Sequence, residues 1–220
     1  MTEIDDIAAA FREHAAPGQA AAMRAYMRDQ FEFLGLPSPL RRQLSKPFLK
    51  DEHPLRTAQA CWAMPEREFQ YFACDLLARH ARTLTPDDLP ALKTLITTKP
   101  WWDTVDALAA NVVGPVVRAD QTPMDAWIGD DDLWVVRTAI LHQLRYKAAT
   151  DSARLFAYTG QHRHHKDFFI RKGIGWALRE YARTDPAAVR RFVADHPDLS
   201  GLSKREALKN IGGDPADPSA

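Results

Sequence analysis

The spacing of apolar residues constrains this chain more than any other feature. Along nearly its whole length they recur every three or four positions, and the strict alternation of a half-buried strand is missing. The pattern predicts an all-α fold. Pro37, Pro54, Pro65, Pro86, Pro100, Pro123, Pro186 and Pro197 punctuate it, each beside a predicted helix start or loop. Helices are predicted over 3–15, 18–31, 38–50, 54–62, 65–82, 86–98, 101–118, 122–129, 132–148, 151–161, 166–183, 186–195 and 203–210.

Taken in pairs, these helices recur about every 35 to 40 residues, near the period of two-helix HEAT-type repeats. The expectation is an α-solenoid of HEAT-like repeats, whose concave face presents one helix from each unit, with an irregular helical bundle as the alternative. At 220 residues the chain suits one domain, placed over 1–211. The ending GGDPADPSA, rich in small residues and proline, is expected to be a disordered tail over 212–220.

No apolar run approaches the ~18–20 residues of a membrane span, and the start MTEIDDIAAAFREH is acidic rather than a basic stretch followed by an apolar one. A soluble, cytoplasmic protein without a membrane partner is expected. Cys61 and Cys74 lie in apolar helical stretches and read as buried free thiols. His162, His164 and His165 lack the spacing of a helical zinc motif, so neither a metal nor a cofactor is expected.

The formal net charge of zero conceals an asymmetry. Residues 1–132 carry 14 Lys+Arg against 20 Asp+Glu, whereas residues 133–220 carry 15 against 9. The C-terminal excess is either a phosphate-binding face or a solvated helix surface.

Three segments carry residues that local structure alone does not explain. In KPWWDTVDALAANVVGPVV, Trp102, Val105, Ala109 and Val112 make an apolar stripe. Asp106 borders that stripe, one turn from Trp102 and on the same side of the helix. Asp103 sits nearer the helix start, where a carboxylate complements the dipole. In DDDLWVVRTAILHQLRYK the acidic cluster caps the helix, and Arg137 with Thr138 interrupts the stripe of Trp134, Leu141 and Leu144. A guanidinium there needs an anionic partner, either a carboxylate or a DNA phosphate. In FFIRKGIGWALREYART, Gly173 and Gly175 flank Trp176 in a helix interior, which suggests space cleared around the indole.

Together with the segments YMRDQFEFLGLP and SKREALKNI, these motifs resemble the AlkD-like DNA alkylation repair glycosylases, a family of HEAT-like repeat proteins, over nearly the whole chain. The resemblance implies that Asp106 stands where the family has its catalytic aspartate. It likewise implies that Trp102 and Trp176 face the lesion and that Arg137 is the arginine of the catalytic site. Tyr26 is similar to an aromatic residue on the DNA-facing surface, and Arg145, Lys147, Arg171, Lys172 and Arg179 are the basic residues expected along the duplex. The implied activity is removal of cationic N3- and N7-alkylated purines from double-stranded DNA by a monofunctional, monomeric enzyme that is nucleoid-associated when bound to DNA. Two other readings of the same residues stay open: a helical scaffold without catalysis, and a protein that recognises damaged DNA without excising.

Overall fold

The computed structural model describes residues 3–211, so the tail expected at 212–220 lies outside the described residues. Among them there is no strand, only an isolated bridge between Glu32 and Glu66. No helix is long and apolar enough to cross a membrane. The chain divides into two compact units, Met1–Leu95 and Ile96–Ala220.

The first unit contains α1 (Glu3–Glu13), α2 (Pro17–Tyr26), α3 (Ser38–Ser45), α4 (Pro54–Ala63) and α5 (Arg67–His80), and the division falls within α6 (Leu89–Thr97). Pro17 and Pro54 open α2 and α4, where a missing N–H costs nothing. Both α1 and α5 pack on α3 and α4. At this junction Phe11 stacks on Phe69 at 5.4 Å and meets Phe72 edge-on at 6.4 Å. The helix predicted over 18–31 stops at Tyr26, because Arg28 and Asp29 adopt left-handed φ of 56° and 55° and no regular helix passes through them. The following loop is anchored from below. The fully buried Glu68 of α5 accepts from the backbone N–H groups of Leu34, Gly35 and Leu36 at 3.0, 2.8 and 3.1 Å. Cys61 and Cys74 are buried free thiols, and burial pushes the Cys61 thiol up to about 12, which leaves it inert.

The second unit contains α7 (Trp102–Leu108), α8 (Gly114–Val116), α9 (Thr122–Trp127), α10 (Leu133–Leu141), α11 (Ser152–Gln161), α12 (Phe168–Tyr181), α13 (Pro186–Asp195) and α14 (Gly201–Leu208). Its repeat character is visible in what packs on what. In one layer α10 rests on α7, α12 on α10 and α14 on α12. In the other, α11 contacts both α10 and α12, and α13 contacts both α12 and α14. This is the stacking of helical pairs expected of HEAT-like repeats. Side chains tie each repeat to the next at nearly constant sequence separation. Tyr146 Oη donates to the Gly114 carbonyl (2.6 Å), Tyr158 Oη to Asp125 (2.6 Å), and Arg163 Nε to Asp198 (2.9 Å), spanning 32, 33 and 35 residues. Each of α10 to α14 is capped at its N-terminus by a side chain of the preceding residue: Asp132, Asp151, Asp167, Asp185 and Ser200.

In the second unit two long predicted helices are broken. The one over 101–118 is interrupted by a π turn, Ala109–Val113, just before Pro115. Proline lacks the N–H for the carbonyl four residues back and its ring crowds that carbonyl, so the wider turn relieves both problems. The one over 132–148 ends at Leu141 in turns, and Lys147 takes a left-handed φ of 54° before a single 3-10 turn, Lys147–Ala149.

Glu68→Ala would leave three loop N–H groups without their acceptor, at a cost of about 3 kcal/mol or more. Urea denaturation should show that loss, with partial recovery in Glu68→Gln. A loss below ~1 kcal/mol would mean that the loop is held by something else.

Candidate active site on the second unit

Asp106 and Arg137 lie on neighbouring helices of one layer, α7 and α10, and face each other. Arg137 Nε donates to Asp106 Oδ1 and Nη2 to Oδ2, both at 2.7 Å, which is the parallel fork of a bidentate pair. The third terminal contact of the guanidinium goes to the Phe169 carbonyl in the first turn of α12. The Arg137 side chain is 1 % exposed and that of Asp106 18 %. Of the two anions that Arg137's position allowed, the structure therefore shows the carboxylate. The guanidinium is buried behind Asp106, and Asp106 is the member of the pair that reaches solvent.

Gly173 explains how so large a cation fits. A Cβ at this position would stand 3.2 Å from Arg137 Nη1 and 3.7 Å from its Cγ. At Gly175 a Cβ would fall 2.4 Å from Glu206 Cβ and 3.1 Å from the Ser203 carbonyl oxygen. The two glycines had suggested space cleared around Trp176. They instead admit the guanidinium of α10 and the backbone of α14, because each faces a neighbouring helix.

Burial pushes the Asp106 carboxyl up from its ordinary value. The hydrogen bonds and charge of Arg137 oppose that rise without cancelling it, and nearby Asp103 adds to it. The result is a carboxylate of more than usual basicity, held in one orientation and touching water. Each of its oxygens keeps a second lone pair beyond those engaged by Arg137.

Aromatic residues lie on the helices of the pair and on α12. Trp102, partly exposed, is one turn before Asp106 on α7. Trp176, partly exposed on α12, has Arg137 Cζ 5.3 Å from its ring centre. Lys172 Nζ and Arg179 Cζ stand 5.7 and 6.0 Å from the same ring. Trp101, Trp134 and Phe169 form a further cluster, with ring centres 5.9, 5.0 and 4.9 Å apart. It packs at the level of the Phe169 carbonyl that Arg137 uses.

The structure thus brings four of the expected residues together: Asp106, Arg137 and Trp176 by contact, and Trp102 by its place one turn from Asp106. The expected DNA contacts divide. Tyr26, 73 % exposed, ends α2 in the first unit. Arg145 and Lys147 are exposed in the turns after α10. Arg171 is partly buried and its Nε donates to the Asp167 carbonyl at 3.4 Å. Lys172 and Arg179 each donate to Glu206 at 2.7 Å, so neither points freely to solvent. Arg154, Arg163 and Arg183 are likewise paired with Asp125, Asp198 and Glu180. Several of the C-terminal basic residues are therefore engaged within the protein. His162 bonds the Ile128 carbonyl and His164 pairs with Asp198.

Sequence reasoning missed Glu206 and the Phe169 carbonyl. The signal lay in the repeat period: Asp106, Arg137, Lys172 and Glu206 follow one another at intervals of 31, 35 and 34 residues, one charged residue per repeat of the layer.

Residues 7–211 match the family model of the DNA alkylation repair enzymes. The chain belongs to that family. The solved structure of a predicted DNA alkylation repair enzyme from Enterococcus faecalis is similar to it at 33 % identity and a TM-score of 0.83, covering 91 % of this chain and 98 % of that one. Among curated proteins none matches. For this DNA alkylation repair enzyme, likeness and geometry agree on the all-helical fold.

Arg137→Ala should cost the enzyme about 3 kcal/mol, since it removes the partner of a largely buried carboxylate and empties the space of a buried side chain. It should also move the Asp106 titration further up, because the guanidinium is what lowers it. Chemical denaturation and a carboxyl-detected NMR titration read the two effects. An Asp106 titration that stays in place would remove Arg137 from its electrostatics.

Proposed function

We propose that this DNA alkylation repair enzyme is a monofunctional glycosylase that hydrolyses the N-glycosidic bond of N3- and N7-alkylated purines in double-stranded DNA. The observation that carries the reading is the partly exposed Asp106 carboxylate, locked in a bidentate grip by a buried arginine. Trp102 lies one turn away, and Trp176 is packed against that arginine.

An alkylated purine is cationic and therefore already a good leaving group. As the bond from C1′ to N9 stretches, its electron pair moves into the purine and neutralises it, while positive charge develops on the deoxyribose. Asp106 is a fixed negative charge aimed at that developing cation. Water bonds to C1′ and passes a proton to the carboxylate, whose raised affinity for protons suits a general base. The products are a free neutral base and an abasic site. The indoles of Trp102 and Trp176 present π faces to the cationic base, each contact contributing roughly 0.5–2 kcal/mol. Arg137 acts through Asp106 as a positioning residue, since its donors are turned inward. Tyr26, Arg145, Lys147 and Arg171 remain the candidates for holding the duplex. The reaction as written uses no cofactor and a single copy of the chain.

Asp106→Asn should lower single-turnover release of N7-methylguanine by about 10²–10⁴-fold with little change in duplex binding. The parent rate should fall as pH drops through the Asp106 titration, because protonation removes both charge and base. That acid limb should lie above the ordinary carboxylate range, in keeping with the upward shift. Duplexes carrying uracil or hypoxanthine should not be processed, since none of these groups protonates a neutral leaving base. Parent-like release by Asp106→Asn would end this mechanism, and lesion-selective binding without release would identify a damage-recognition protein instead.

A further inference from the structure

The indole of Trp176 is crowded by positive charge before any ligand arrives. Arg137, Lys172 and Arg179 all stand within about 6 Å of its ring centre. Left uncompensated, three cations there would repel a fourth brought by a cationic base. Asp106 answers Arg137. The other two are answered by a single carboxylate: Glu206 of α14 accepts from Lys172 Nζ through Oε1 and from Arg179 Nη1 through Oε2, each at 2.7 Å. Lys172 and Arg179 lie four residues before and three after Trp176 on α12, so Glu206 bridges the two cations that flank the indole on its own helix.

The fold is adapted to this placement. The Glu206 side chain is 14 % exposed, and α14 comes so close to α12 that any Cβ at position 175 would collide with Glu206 Cβ. Lys172 is the main cause, with Arg179 and Lys209, of a Glu206 carboxyl held below its ordinary value, so the group is charged at neutral pH.

We infer that Glu206 is a specificity-determining positioning residue: by offsetting one of the two positive charges of Lys172 and Arg179 it makes the Trp176 side of the site more tolerant of a cationic base. The inference rests on the glycosylase reading for the identity of that ligand, but its effect is on binding. At separations of several ångströms in a partly buried site, one unit of charge is worth roughly a five- to tenfold change in affinity for a cation. For the polyanionic duplex around it the sign is opposite. Removing Glu206's charge should weaken recognition of the cationic base while leaving duplex binding equal or tighter, a divergence that loss of packing does not produce.

The test uses two duplexes of identical sequence, one with a central guanine and one with N7-methylguanine on a 2′-fluoro sugar, whose electron-withdrawing fluorine prevents bond cleavage. The ratio of the two Kd values is the cation preference. The parent should prefer the methylated duplex. Glu206→Gln should lose roughly five- to tenfold of that preference with unweakened binding to the guanine duplex. Lys172→Gln added to Glu206→Gln should restore it by restoring the charge balance. Lys172→Gln alone should raise the preference above the parent's, and this variant carries the test if Glu206→Gln does not fold. A parent without preference, a Glu206→Gln preference equal to the parent's, equal weakening on both duplexes, or no rescue in the double variant would each overturn the assignment. Release of base from ordinary N7-methylguanine duplex is followed separately. A parent that prefers the cation yet releases no base would sink the glycosylase reading and leave the role of Glu206 standing.

Discussion

A guanidinium sealed from water imposes demands on everything around it, and Arg137 is such a group. Its charge has to be met inside the protein, which fixes Asp106 opposite it on α7 and brings the Phe169 carbonyl of α12 to its third nitrogen. Its volume has to be accommodated, which leaves position 173 without a side chain. Three consecutive helices of one layer are thereby registered by one side chain. Buried ion pairs are seldom a net source of stability, since desolvation of both partners offsets their attraction. What this pair provides is orientation: the carboxylate is held at both oxygens and cannot rotate, while its outer edge stays in contact with solvent.

The same logic of local neutralisation governs the charges further out. A neutral chain that acts on a polyanion has to present cations where the polyanion lies and hide them elsewhere. Arg154 and Arg163 are each matched by a carboxylate from a neighbouring repeat, and Lys172 and Arg179 share one. The exposed Arg145 and Lys147, in the turns after α10, have no such carboxylate among the described residues. Sequence-wide charge therefore says little about this protein, and the distribution among paired and exposed cations says more.

The all-helical fold was legible because its signals are local. Apolar spacing, proline starts and the capping residues Asp132, Asp151, Asp167, Asp185 and Ser200 all act within a turn of where they stand. Helix ends were misjudged at Tyr26, where the left-handed Arg28 and Asp29 close the run without a glycine, and at Leu141, where the chain goes over into turns: Arg28 and Asp29 have unremarkable side chains for a helix, and nothing local announces their φ. Within the site, Asp106 and Arg137 stood out because charges beside apolar stripes are costly. That they meet each other depends on packing between helices. Glu206 gave no local signal, since a glutamate in a short C-terminal helix is ordinary until α14 is laid against α12.

The near-constant reach of the side-chain ties in the second unit also bears on how the chain finds its structure. Bonds between Gly114 and Tyr146, Asp125 and Tyr158, and Lys172 and Glu206 each close a loop of little more than thirty residues. Loop-closure entropy grows only logarithmically with length, and each repeat closes its own short loop onto a neighbour already formed. No contact in such a series has to wait for distant parts of the chain to meet. Assembly by successive addition of one helical pair to the last keeps contact order low, and a growing chain can acquire order as each pair becomes complete.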